Sequence, residues 1–458
     1  VFLCGDYFMM MTLSVLSKSR SIDDILKEAQ AKKVSQVCLQ FVDINGRPKH
    51  MSIHVAQLEK ALNNEILLDG SSIQGFRTIE TSDMAFFPDL DTFQVLPVAR
   101  DGERVTARVM CNIHNPDGTV FEGCPRGNLQ RVLKEARELG YIFNVGPELE
   151  FFLFKKDADG KPTLETHDSA GYYDLAPDDL GEHVRSEIVD YLLELGFYME
   201  ADHHEVAEGQ HEIDFRYDNA LRQADNVINV KIATRKIASK YGLHATFMPK
   251  PVFGVNGSGM HCNMSLASLE GENLFYDPEG EHQLSETAHH FVAGILEHVQ
   301  GFTAVSNPTV NSYKRLVPGY EAPVYVAWST ANRSALVRVP AKRGAGTRIE
   351  LRSPDTAANP YLAFAVMLQA GLDGIKNKTV CPNTTQLNIY KLDEAERKEY
   401  GIASLPGSLN EALHLYKKSK IARQALGEHI YDEFLKAKNA EWDSFRTYVS
   451  SWEIEQYM

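Results

Sequence analysis

Gly146-Pro147-Glu148-Leu149-Glu150-Phe151-Phe152-Leu153-Phe154 is the stretch on which the fold turns. Four large apolar residues in a row predict a buried strand, and residues two apart on a strand share a face, so Glu148 and Glu150 stand side by side at its start. Two carboxylates so placed repel each other and must be protonated, paired or metal-bound, unless the strand start is exposed and both are solvated. Upstream, Asn115-Pro116-Asp117-Gly118 and Gly123-Cys124-Pro125 carry enough turn chemistry to mark a boundary. Before it, Ser21-Ile-Asp-Asp24 reads as a capped helix start, and strand-like Val34 to Asp43 and Pro48 to Val55 flank Ile44-Asn45-Gly46-Arg47, a hairpin turn. After it, helix-like segments at 126–139, 178–195, 219–241, 286–302, 358–376 and 408–440 alternate with strand-like ones, the pattern of an α/β or α+β body.

The 458 residues suit about three average domains or, equally, two larger ones, and 43% apolar with 24% charged residues describes a globular chain without a run of transmembrane length. A net charge of −15 has the wrong sign for tracking nucleic-acid phosphates by bulk charge. Six cysteines without a C-x-x-C pair indicate neither a disulfide framework nor a zinc ribbon, and point to a reducing cytosol. Residues 1–20 read as an extension, with Met11 as an alternative start; Asp6 interrupts the apolar stretch that would otherwise suggest a signal peptide. Charge is segregated within the body. Val145 to Phe215 holds 19 acidic residues against 4 lysines and arginines, whereas Val310 to Arg352 holds 2 against 8, so one segment suits cations and the other anions.

Three further runs sharpen this. Asp202-His203-His204-Glu205-Val-Ala-Glu208-Gly209-Gln210-His211-Glu212-Ile-Asp214 adds oxygen and imidazole ligands without thiolate, which favours magnesium or manganese over structural zinc. Phe253-Gly254-Val-Asn256-Gly257-Ser258-Gly259-Met-His261 brings backbone close to a ligand. Arg348-Ile-Glu350-Leu-Arg352 alternates strictly, placing the charged residues on one strand face and Ile349 and Leu351 on the other. With Lys314-Arg315, Arg333 and Arg338 upstream, arginines converging on a carboxylate metal site imply an anionic, phosphorylated substrate. No Walker-type phosphate loop is present, so a nucleotide would bind by another route.

Asp69-Gly-Ser-Ser72, Gly146-Pro-Glu148-Leu-Glu150, Asn256-Gly-Ser-Gly-Met-His261, Asn311-Ser-Tyr-Lys-Arg315, Pro318-Gly-Tyr-Glu321-Ala-Pro, Asn332-Arg-Ser334 and Arg348-Ile-Glu350-Leu-Arg352 occur in that order. Together they resemble bacterial type I glutamine synthetase of the shorter alpha subtype, over everything from residue 21 to the C-terminus. The resemblance implies an α+β fold: a small β-grasp domain over residues 21–120 and a larger glutamine synthetase/guanidino kinase-like catalytic domain over 121–458. It implies a cytoplasmic ATP-dependent glutamate–ammonia ligase of nitrogen assimilation, acting through γ-glutamyl phosphate. It further implies two divalent cations per site, Mg2+ or Mn2+, and a homododecamer of two hexameric rings with intersubunit active sites. Carried over residue by residue, Glu150, Glu205 and Glu212 hold one cation and Glu148, His261 and Glu350 the other. Arg333, Arg338 and Arg352 stabilise the transferring phosphoryl group or the carboxylate it joins. Arg315 clamps the α-carboxylate, with Asn256 and Gly257 positioning the glutamate, and Ser265 and Arg348 belong to the ATP pocket. Asp69 is the base for ammonium; Ser72, Glu205 and Glu321 complete its site, and Glu321 lies on a loop that closes over the intermediate.

Some positions depart from the family pattern. Asn263 and Phe76 stand where some members have histidine and tryptophan. Thr78, with Arg77 before it, stands where some alpha enzymes have the arginine that transmits glutamine feedback. Tyr390 lies near the tyrosine that other subtypes adenylylate. A ligase joining glutamate to a polyamine, a guanidino kinase and a non-catalytic relative are the competing readings, and a nitrogen-regulatory transcription factor is a conceivable partner.

Overall fold

The computed structural model describes residues 19–97, 104–320, 322–385 and 389–458, so Glu321 lies outside the described residues. These divide into two units. One runs through Phe41 and includes Lys49–Gly70 and Thr78–Phe121; the other comprises Val42–Pro48, Ser71–Arg77 and Glu122–Met458.

In the smaller unit, Ser21 and Asp24 form a reciprocal capping box that starts a helix at Ile22–Ala31, whose Ile25 and Ala29 are buried. Its strands are β1 (Gln36–Val42), β2 (Pro48–His54), β3 (Leu67–Asp69), β4 (Asp83–Pro88), β5 (Gln94–Val95) and β6 (Thr106–His114). They run in the order β2-β1-β6-β4-β3, with β5 also on β6 and with β1 and β6 parallel. In the turn between β1 and β2, which is counted with the larger unit, only Gly46 takes a positive φ, +76°. Asp43 Oδ1 accepts from the backbone N–H groups of Asn45 and Arg47, closing the turn as a side-chain-stapled loop rather than a pure Asn-Gly turn.

The larger unit is organised on β7 (Ile142–Lys156), fifteen residues long. After it come β8 (Pro162–Thr166), β9 (Met199–His204), β10 (Gln210–Phe215), β11 (Asp218–Asn219), β12 (Leu243–Thr246), β13 (Met260–Ala267), β14 (Trp328–Ser329), β15 (Val337–Arg338) and β16 (Ile349–Leu351). The sheet order is β14-β15-β16-β13-β7-β10-β9, with β8, β11 and β12 also on β7. Leu149, Phe151, Ile213, Met260, Cys262 and Leu351 turn into one core with the helices Ala220–Lys240, Glu286–Ser306 and Pro360–Asn377. The last two helices cross closely. A Cβ on Gly294 would lie 2.2 Å from the Ala370 carbonyl oxygen, so glycine there sets the helix separation. Residues 408–440, which read as one helix, form two, Leu409–Tyr416 and Lys420–Arg446. Ser419 caps the second, and Gly427 at φ +69° breaks its regularity.

Candidate active site

The apolar face of the sheet is spent on the core, and strand register assembles the other. Across β7 and β10, Glu150 stands opposite Glu212 and Glu148 opposite Asp214; across β7 and β13, Glu148 stands opposite His261. Across β9 and β10, Glu212 meets His203; across β13, β16 and β15, Glu350 meets Asn263 and Arg338. All of these except Asn263, together with Glu205, Arg315, Arg333 and Arg352, line a cavity of about 300 Å3, formed by the larger unit alone.

One end of the row is compensated by positive charge. His261 Nδ1 lies 3.1 Å from Glu148 Oε2 and 3.8 Å from Glu350 Oε1, and Asn263 Nδ2 donates to Glu148 Oε1 at 2.8 Å. Glu350 accepts from Arg338 at 2.7 Å and from Arg352 at 2.6 Å. Burial raises the Glu148 carboxyl, but His261, Asn263 and Arg352 outweigh it and bring it down to about 2.

The other end has no such support. His203 Nε2 lies 3.2 Å from Glu212 Oε1, and its Nδ1 is 4.0 Å from Glu205 Oε1. Burial, and then Glu150, Glu148, Glu205 and Glu350, push the Glu212 carboxyl well up. Burial followed by Glu212 and Glu148 pushes Asp214 up to about 9, and its buried Oδ1 finds no hydrogen-bond partner among the described residues. Carboxyls forced toward neutrality by one another are what a cation site presents when only protein charges are counted. Ligand atoms within 4.8 Å of one another occur in two groups there, Glu148, His261 and Glu350, and His203, Glu205 and Glu212. Glu150 lies between the groups, its Oε1 3.8 Å from His261 Nε2 and its Oε2 accepting from Gln210 Nε2 at 3.0 Å and Gly259 N at 2.9 Å.

Arg315 is fully buried and donates to the carbonyls of Ser353, Pro354 and Arg352. It passes so close to the glycine-rich run that a Cβ on Gly259 would lie 2.5 Å from its guanidinium nitrogen, and one on Gly257 3.1 Å from its Cγ. Asn256 and Gly257 line the cavity, and exposed Arg333 hydrogen-bonds Tyr172 at its edge. Arg348 donates to Asn263 Oδ1 at 2.8 Å, with half-buried Ser265 two residues further along β13; neither Arg348 nor Ser265 lines the cavity. Asp69, exposed at the end of β3, belongs to the smaller unit. Ser72 is exposed on the Ser71–Arg77 segment, and Glu321 lies outside the described residues. Phe76 is buried, Thr78 exposed, and the Tyr390 hydroxyl donates to the Ala322 carbonyl at 3.1 Å. The site also contains His203, Gln210, Asp214, Tyr172 and Tyr173. Asp214 follows Glu212 at the same two-residue spacing that singled out Glu148 and Glu150.

A family model described as glutamine synthetase, catalytic domain, matches residues 122–457, and one described as glutamine synthetase, beta-grasp domain, matches residues 33–116. The chain is 55% identical over 437 residues to the glutamine synthetase of Staphylococcus aureus strain MW2, covering 95% of this chain and 98% of that protein. It is 55% identical over 442 residues to that of Staphylococcus epidermidis, covering 96% and 99%. Among solved structures, a GmaS/ADP complex superposes with a TM-score of 0.86 at 31% identity, covering 95% of this chain and 99% of that one. A Plasmodium falciparum glutamine synthetase superposes with a TM-score of 0.85 at 26% identity, covering 96% and 100%. The β-grasp and catalytic matches together account for both units, and the chain belongs to the glutamine synthetase family, the glutamate–ammonia ligases.

Proposed function

We propose that this chain ligates ammonia to the γ-carboxylate of L-glutamate at the expense of ATP, through γ-glutamyl phosphate, releasing glutamine, ADP and phosphate. The observation that carries the reading is the charge gradient in one cavity. Carboxylates short of positive charge around Glu212 adjoin a set of buried or half-buried guanidinium groups, Arg315, Arg338 and Arg352. Transfer of a phosphoryl group onto a carboxylate needs both halves, since several anions must be gathered and neutralised at once.

The donor set, oxygen and imidazole without thiolate, fits two divalent cations, Mg2+ or Mn2+. Glu148, His261 and Glu350 would hold one and Glu150, Glu205 and Glu212 the other; when bound, they neutralise phosphoryl oxygens. The chain's own groups do the rest. Arg315 clamps the α-carboxylate while Asn256 and Gly257 hold the substrate's backbone end. Arg333 and Arg338 face the oxygens of the group in transit, Arg352 the carboxylate that receives it, and Ser265 and Arg348 the nucleotide. A carboxylate oxygen of Asp69 takes a proton from ammonium, with Ser72, Glu205 and Glu321 completing that subsite. Exclusion of water protects the acyl phosphate from hydrolysis.

On this reading residues 21–120 and 121–458 are the two domains, and the enzyme is a cytoplasmic homododecamer of two hexameric rings in which Asp69 serves a neighbouring subunit's site. Among the described residues no helix is long and apolar enough to cross a membrane. The deciding experiment measures phosphate release from ATP with glutamate plus ammonium against glutamate plus a polyamine. Ammonium should give the higher kcat/KM; preference for the amine would reassign the chain to amine ligation.

A further inference from the structure

The β9–β10 hairpin carries a second set of polar groups on its back. His204 and His211 are register partners alternating with His203 and Glu212, so they turn away from the cavity, and both are fully buried. Beneath them lies Asp168, just beyond β8, whose side chain is also fully buried. Its Oδ1 accepts from the Gly209 backbone N–H at 2.9 Å and lies 3.3 Å from His204 Nε2; its Oδ2 lies 2.9 Å from His167 Nε2. His204 in turn donates from Nδ1 to the Glu205 carbonyl oxygen at 2.7 Å. Asp168 therefore reaches both ends of the turn Glu205–Gly209, Gly209 directly and Glu205 through His204, whose two ring nitrogens each face an acceptor and so both donate. Nothing in the proposed reaction uses it.

The cluster is built for fixing backbone rather than for holding a cation of its own. Arg185 sits within it, donating to Asp179 at 2.7 Å, to Asp202 at 3.0 Å and to His211 Nδ1 at 2.9 Å. A ring that accepts at Nδ1 carries its proton at Nε2, so His211 offers no lone pair toward His167 and Asp168, and the buried guanidinium repels a dication. The close packing agrees: a Cβ on Gly181 would lie 2.4 Å from the His211 ring and 2.8 Å from His167 Nε2. The Asp168 carboxyl, raised by burial but lowered more by His167 and His204, is held well below the usual carboxylate range, so it stays an acceptor.

We propose that Asp168 is a positioning residue for the Glu205 end of the active site: by fixing both ends of the Glu205–Gly209 turn it sets where the Glu205 carboxylate stands, and thereby how tightly a divalent cation is held there. The inference rests on Glu205 and Glu212 being cation ligands. Groups that orient ligands from behind change metal affinity by roughly 10–100-fold when removed.

The test is calorimetric titration of Mn2+ into the metal-free homo-oligomer. Asp168→Asn keeps the size and one acceptor oxygen but loses the carboxylate. It should weaken one class of Mn2+ sites by about 10–100-fold, leave the other within about twofold, and recover activity at raised Mn2+. A general loosening of the fold would affect both classes and would not be rescued by metal. Unchanged affinity at both classes overturns the proposal. If Asp168→Asn does not assemble, His204→Asn decides in the same way, since its amide nitrogen still donates to Glu205 while contact with Asp168 is lost. Glu205→Gln separates the two levels of argument: if it leaves both classes intact, the ligand reading itself falls, whatever Asp168 does.

Discussion

Replacing Glu212 with glutamine should cost the metal-free protein little and remove most of the stability that a divalent cation adds. Without metal the Glu212 carboxyl is buried, faces Glu150 across the β7–β10 pair, and is pushed well above the ordinary value of 4.5. A carboxyl held protonated resembles an amide in size, and the glutamine oxygen can accept from His203 Nε2, which lies 3.2 Å from the present Oε1. The metal-free change should stay within about 1 kcal/mol. The pH dependence follows by linkage. Because the native pKa is raised, the native chain binds more protons than the unfolded one once pH exceeds about 4.5, so this group's contribution is present below that and lost as pH rises through the native pKa. The variant should show a shallower decline.

A bound cation reverses the balance, because it occupies the place of the proton. At a cation concentration one hundred times Kd the native state gains about 2.7 kcal/mol; a hundredfold weaker site at that concentration retains only about 0.4 kcal/mol. Thermal unfolding of wild type and Glu212→Gln, each with and without Mn2+, reads the difference directly. The reasoning is refuted if the variant keeps the full Mn2+-induced shift. It is equally refuted if the metal-free variant loses several kcal/mol, since the carboxylate would then have been ionised and compensated from the start.

Gly259→Ala should drive a methyl group to 2.5 Å from an Arg315 guanidinium nitrogen, raising the glutamate KM at least tenfold and costing about 1–3 kcal/mol; normal kinetics would remove Arg315 from substrate binding. Lys231 is buried and, through burial and then Arg235, is pushed down to about 7, so between pH 7 and 10 the unfolded chain holds a proton there that the native chain lacks, and this group's own contribution to stability rises with pH, opposing that of Glu212. Lys231→Met should flatten that rise in thermal midpoint, and an unchanged slope would show the ammonium to be solvated. Arg333→Ala, at an exposed position, should leave stability within about 0.5 kcal/mol while lowering kcat by ~10³ with little change in glutamate KM. Asp69→Ala and Glu321→Ala, separately inactive, should regain roughly a quarter of the sites when dissociated and reassembled in equal amounts, as a heterologous ring contact requires. Mixed oligomers without recovered activity would place Asp69 in its own subunit's site.

Legibility in the sequence followed the range of the interaction. Period-two alternation is local, so Glu148 with Glu150 and Arg348 with Glu350 could be read as pairs, and the Ser21–Asp24 capping box lies within four residues. Register is not local. Nothing in the run around Asp214 shows that it will face Glu148, or that His203 will face Glu212, until β9, β10 and β7 are aligned. Asp168 stands 41 residues before the Gly209 N–H it accepts from, and in sequence it is one acid among nineteen. The broken C-terminal helix failed differently: its apolar spacing continues through Ser419 and Gly427, and only the cap and the φ of +69° reveal the interruption.

The segregation of charge along the chain acquires its meaning from strand order. The acidic segment supplies β7, β9 and β10 and the basic segment supplies β15 and β16, and β13 lies between the two sets. Neither segment is tolerable alone in a buried sheet: burial and the neighbouring carboxylates push Glu212 and Asp214 up, and Arg352, which burial penalises, is held charged by Glu350, Glu148 and Glu150. Glu350 is the acid that the basic segment contributes to this face, and it sits where Arg338 and Arg352 converge. It therefore marks the crossing point of the gradient, with Arg338 on the adjoining β15, Arg352 just past the end of β16, and carboxylates across β13. A group carrying negative charge away from one anion and onto another is best served at such a crossing, because the field there changes sign over a few ångströms without any side chain having to move.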